Sequence, residues 1–99
     1  MREIILDGRL LTTKNRLYEQ LAEVFDFPEY FGNNLDALWD VLTEKTEPMT
    51  IHFTYVTKFL EAMGTYGEHV LRFFRKLEEK NEHVKVYYYL KECEKEIEE

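Results

Sequence analysis

Asp36 and Asp40 stand four residues apart in the stretch PEYFGNNLDALWD, residues 28–40, and Glu44 continues the series. Paired carboxylates at this spacing are a familiar source of general acid–base chemistry. His52, His69, His83 and Cys93 are the side-chain types from which metal sites are made. Neither chemistry is well served here. No histidine lies near the acids in sequence, no glycine-rich phosphate loop is present, and the histidines and cysteine lack ligand spacing. Acids on an exposed helix also lack the burial that tunes a carboxylate for catalysis. The chain is therefore expected to be neither an enzyme nor the holder of a cofactor or metal. The arrangement suits recognition better, with carboxylates offered to a partner beside the aromatic groups Tyr30 and Trp39.

Helical geometry separates these residues by role. At about 100° per residue with Asp36 at zero, Asp40 falls at about +40°, Thr43 at about −20°, Glu44 at about +80° and Trp39 at about −60°. Leu35, Leu38 and Leu42 fall at about −100°, −160° and −120° on the same wheel. The acids face away from the leucine stripe and Trp39 sits on the border. Like charges at i, i+4 weaken a helix by a few tenths of a kcal/mol, so the fold itself does not ask for an acid at position 40. Each residue also has a structural reading: Asp36 as the first-turn acid of an Asn33-x-x-Asp36 cap, Asp40 as a solvated surface acid, Trp39 as half-buried core, Tyr30 as a loop residue packed on the helix. Their clustering on one face favours a binding surface.

The elements that position this helix can be read along the chain. Glu3–Asp7 forms a short strand, and Asp7-Gly8 marks a turn. Thr12 or Thr13 caps a helix with Leu17, Tyr18, Leu21, Ala22, Val24 and Phe25 at helical spacing, closed by Asp26-Phe27-Pro28. Gly32 allows a tight turn, and Asn33 or Asn34 caps the acidic helix, whose inner stripe is Leu35, Leu38, Val41 and Leu42. Met49–Val56 alternates as a strand with Thr50, His52 and Thr54 on a wet face. Gly64–Gly67 leads into a third helix with Val70, Phe73, Phe74 and Leu77 inward, stopped near Asn81. Val84–Leu90 is the last strand. The order β–α–α–β–α–β predicts an α/β fold with a parallel sheet and helices mainly on one side, giving two layers. That departs from the double coverage usual for parallel sheets.

Ninety-nine residues suit one domain, expected over 1–90, with a charged tail over 91–99. The hydrophobic content of 44% argues against disorder. No apolar run reaches the ~20 residues needed to span a bilayer, no signal peptide is legible at the start, and the single cysteine precludes an internal disulfide, which together lead to the expectation of a cytoplasmic protein. The net charge of −7 is uneven: residues 1–18 carry +2, residues 19–47 carry −7 and residues 48–99 carry −2. Such a field disfavours nucleic acid and anionic membrane and favours a basic protein surface.

The thirteen residues Pro28–Asp40 resemble the hallmark segment of the barstar family of intracellular ribonuclease inhibitors, and the element order and length fit over roughly residues 1–90. The resemblance implies a small three-stranded parallel sheet packed by three or more helices. It implies a protein that binds a secreted basic ribonuclease in the producing cell and plugs its active site, as an immunity protein that is a monomer when free. Tyr30, Asn34, Asp36, Trp39, Asp40 and Thr43 match family contact positions. By that resemblance Asp40 is the central anchor among the nuclease's cations, Asp36 pairs with a guanidinium, and Tyr30 packs near the catalytic histidine. Two positions depart from the family. Lys76 stands where the third helix would present an acid, and Glu44 stands where a glycine would follow Thr43, which adds Glu44 to the candidate surface. These departures leave room for a second reading, a non-inhibitory interaction module on the same scaffold that binds another basic protein. The stripe Arg72, Arg75, Lys76 and Lys80 reads as a solvated face, with RNA contact a poor second.

Overall fold

A computed structural model describes residues 2–27, 34–44 and 47–91. The elements run β1 (Arg2–Asp7), α1 (Lys14–Phe25), α2 (Leu35–Glu44), β2 (Met49–Thr54), α3 (Val56–Lys80) and β3 (Val84–Tyr88). The three strands form one parallel sheet in the order β1-β2-β3. Alternate strand residues, among them Ile4, Leu6, Ile51, Phe53, Val84 and Val86, point into one core shared with the helices. On the edge strands the intervening residues are mostly exposed, as at Ile5 and Tyr87. The architecture is the expected two-layer α/β fold.

Local chemistry explains the helix limits. Thr13 caps α1 by accepting a hydrogen bond from the Arg16 N–H at 3.1 Å. Asp26 closes α1 in the left-handed region at φ 59°, its N–H returning to the Ala22 carbonyl. Asn81 closes α3 from an extended conformation, so it works through its side chain: its Nδ2 donates to the Leu77 carbonyl at 2.9 Å. A side-chain clasp thus does there what a left-handed residue usually does.

Two expectations about the chain are corrected by the structure. The wet face expected for β2 is buried: Thr50, His52 and Thr54 are 6%, 3% and 3% exposed. β2 is the central strand, and side chains of both neighbours close over it. His52 stacks on Tyr87 at 5.7 Å, one imidazole nitrogen lies 2.7 Å from Glu3 Oε1 and the other 2.9 Å from the Tyr89 hydroxyl. Alternation read from one strand reports polarity, while burial depends on what the flanking strands lay across it.

The second correction concerns β2's end and α3's beginning. β2 stops at Thr54, and Tyr55 turns the chain at φ 53° into a helix that starts at Val56, well before Gly64. Gly64 is a kink within α3, at φ 59° and ψ −133°, where a side chain would be strained. The spacing Val56, Phe59, Leu60, Met63 carries the helical signal, and Phe59 is fully buried. Gly8 is required by proximity: a Cβ there would lie 2.4 Å from the Tyr55 carbonyl oxygen. The β1–α1 turn therefore packs directly against the β2–α3 turn.

Arg9 fastens these two turns together. Its guanidinium grips Asp7 with bonds of 3.1 and 2.8 Å and lies 3.9 Å from the Tyr55 ring centroid. Hydrogen bonds from the Arg9 side chain hold the Asp7 carboxyl below its ordinary 3.8, against an opposing push from burial. A carboxyl depressed on folding stabilises the protein above its unfolded pKa and loses that contribution as pH falls through the folded value. Asp7→Asn should therefore shallow the acid loss of stability below about pH 4, measured as urea midpoints against pH for both proteins. Parallel profiles would dismiss the contribution.

Candidate partner-binding surface

α2 is positioned by its cap and its leucines. The Asn34 side-chain oxygen accepts from the Ala37 N–H at 2.8 Å, which satisfies one of the free donors of the first turn. Of the two candidate caps, Asn34 takes the role, and Asn33 lies outside the described residues. Leu38 and Leu42 are fully buried, with Leu35 packed against the core, and these anchor the inner face. Asp36, Asp40 and Glu44 are all exposed on the other side.

The arrangement runs partly against the helix's own electrostatics. Asp36 sits in the first turn, where the helix dipole favours an acid. Asp40 and Glu44 follow at i+4 and i+8, where like-charge repulsion opposes them and the C-terminal dipole opposes Glu44 further. Among the described residues none of the three enters a salt bridge. The result is a ridge of negative charge with no salt-bridge partner among the described residues.

Trp39 and Thr43 border this ridge and are half-buried. Trp39 meets the Phe73 ring edge to face, centroids 5.6 Å apart, and so joins α2 to α3. The Thr43 hydroxyl is held by the carbonyls of Trp39 at 2.7 Å and Asp40 at 3.2 Å. Asn34, Asp36, Trp39, Asp40, Thr43 and Glu44 thus come together on one element. Tyr30, the remaining candidate, lies outside the described residues.

Two hollows flank the beginning of α2. One of about 480 Å³ is lined by Lys14, Asn34, Leu35, Asp36 and Tyr66, and one of about 280 Å³ lies between α2 and α3. Lys14 sits 4.4 Å from the Tyr66 ring centroid, and the Tyr66 hydroxyl shares a hydrogen bond with Tyr18, tying α3 to α1. Nothing in the order of residues marks Lys14 and Tyr66 as neighbours of Asp36. His52 is in the sheet, His69 is exposed on α3 and His83 precedes β3, all on elements other than the acidic helix.

The sequence model of the family described as Barstar (barnase inhibitor) matches residues 1–91. The chain belongs to the barstar family. It is similar to a Bacillus subtilis (strain 168) protein named "Putative ribonuclease inhibitor YrdF", with 40% identity over 83 residues, covering 80% of this chain and 88% of that protein. Within the barstar family frame, α2 and its cap carry six of the seven candidate contact residues.

The cap made by Asn34 can be tested by substitution. Asn34→Ala is expected to cost about 0.5–2 kcal/mol of stability through loss of the cap, measured by urea unfolding. Asn34→Ser keeps a capping oxygen and should stay within a few tenths of a kcal/mol of the parent. Equal stability of the alanine variant and the parent would deny the cap its role.

Proposed function

We propose that this barstar-family protein inhibits a basic ribonuclease by laying α2 into the enzyme's active site. The supporting observation is the ridge Asp36–Asp40–Glu44, exposed and without a salt bridge among the described residues, in which Asp40 and Glu44 work against the stability of the helix that carries them. A ribonuclease cleft gathers Arg, Lys and His to bind phosphates, and a line of carboxylates imitates that phosphate backbone. Asp40 is the central anchor and Asp36 pairs with a neighbouring guanidinium. Trp39 and Tyr30 supply rigid apolar area, and Asn34, Thr43 and Glu44 complete the contact. Inhibition is by occupancy, with no chemistry of the inhibitor's own. The partner is a secreted ribonuclease, and the inhibitor acts as a cytoplasmic immunity protein, monomeric when free. Among the described residues no helix is long and apolar enough to cross a membrane.

RNA cleavage by barnase, titrated with this protein, tests the proposal: activity should fall to zero at one equivalent. Association should slow as salt rises, because the charge that steers encounter is screened. Cleavage unchanged at excess inhibitor, across barnase and other basic secreted ribonucleases, would reject inhibition. It would favour the second reading, a barstar-like module that binds a different basic protein, to which the cations of α3 lend their weight.

A further inference from the structure

The side of α3 that looks across at the acidic ridge is basic. The 280 Å³ hollow between the helices is floored by Leu35, Trp39 and Phe73, with Asp36 on one wall and Lys76 and Lys80 on the other. Both lysines are exposed, and among the described residues neither makes a salt bridge. Asp36 therefore faces them across the opening without neutralising them. The dipole of α3 favours a cation in its last turn, which suits Lys80. The dipole does not choose the side of the helix, and Glu78 and Glu79 occupy the same turn on other sides. The two lysines are one turn apart and stand together over the aromatic floor.

A uniformly basic partner would gain against α2 and be repelled by this wall. The complementary partner has cations opposite Asp36, Asp40 and Glu44 and a carboxylate opposite Lys76 and Lys80. An apolar side chain between them would fill the hollow and cover the Trp39–Phe73 edge. We propose that the α2–α3 groove is an anchor pocket for an aromatic or aliphatic side chain of the partner, whose neighbouring carboxylate pairs with Lys76 and Lys80. This rests on the partner-binding reading of α2 and narrows it. The ribonuclease that fits carries an acidic residue beside an apolar one at the margin of its otherwise basic active-site surface. Lys76 and Lys80 then act as specificity residues that reject partners basic at that position.

The groove can be tested without any nuclease. Two small probes, 3-phenylpropionate and 3-phenylpropylamine, share a ring and differ in charge. Each is titrated into the 15N-labelled full chain at low ionic strength, following the Trp39 indole N–H and the backbone amides of Phe73, Lys76 and Lys80. The carboxylate should give saturable shifts at these positions and bind roughly fivefold tighter than the amine, the scale set by one or two exposed charge pairs. Lys76→Gln with Lys80→Gln should erase the preference, and Lys76→Glu with Lys80→Glu should reverse it. Both pairs of substitutions are at exposed positions, so an otherwise unchanged amide spectrum checks the fold. Equal binding of the probes, absence of saturable shifts, shifts centred elsewhere, or a preference that survives the glutamine variant each overturns the anchor pocket. Ribonuclease inhibition is read separately. Failure to inhibit with the carboxylate preference intact counts against the α2 reading and leaves the groove's chemistry standing.

Discussion

Asp40→Ala is expected to weaken the complex with barnase by about 2–5 kcal/mol, the usual cost of truncating one member of a desolvated charge pair on a scale for which barnase and barstar were themselves a reference system. That corresponds to about 30-fold to several-thousand-fold in Kd. Most of the change should appear as faster dissociation. In the proposed complex the nuclease cations left behind would be buried without a counter-charge, whereas long-range steering would still draw on Asp36 and Glu44. The free protein should be unharmed. Asp40 is exposed and unpaired among the described residues, and its removal relieves repulsion toward Asp36 and Glu44. Stopped-flow kinetics combined with urea unfolding separates the two effects. A dissociation rate equal to that of the parent would remove Asp40 from the anchor position, and a large loss of stability would show that its role lies in the fold.

The largest effect on folding is expected at Phe53. Its ring lies at the centre of the aromatic core, 4.9 Å from Phe59, 6.1 Å from Phe74 and 6.4 Å from Tyr88, on the central strand and fully buried. Phe53→Ala removes contacts to α3 and β3 together and should cost about 3–5 kcal/mol. For a domain of this size that lowers Tm by roughly 15–30 °C. Since a typical domain is stable by only about 5–15 kcal/mol, this one change consumes much of the margin. Phe53→Leu retains most of the volume and should lose far less. Calorimetry on the three proteins decides it: similar Tm values for the alanine and leucine variants would place the core's centre elsewhere.

α2 was legible because its information is local. The three-and-four spacing of Leu35, Leu38 and Leu42 sets its inner side, and geometry then turns Asp36, Asp40 and Glu44 outward whatever the rest of the protein does. α1 was equally clear, from its Thr13 cap to Phe25. At β2 the same kind of reading failed. Thr50, His52 and Thr54 alternate as a solvated face would, yet all three are buried, and His52 meets Glu3, Tyr87 and Tyr89, residues more than thirty positions away. At α3 the two glycines suggested a loop, although Gly64 bends a helix and Gly67 lies buried within it.

The order of residues thus determined the elements, their inward faces and the acidic ridge, since each follows from backbone periodicity over a few turns. The family segment at residues 28–40 pointed to the same helix. Only the tertiary structure decided that β2 is sealed on both faces and that α3 already begins at Val56 and continues, kinked at Gly64, to Lys80. It also decided that Lys76 and Lys80 share a hollow with Asp36. These are contacts between segments distant along the chain, selected by how strands neighbour one another and how helices pack, and no local pattern encodes them.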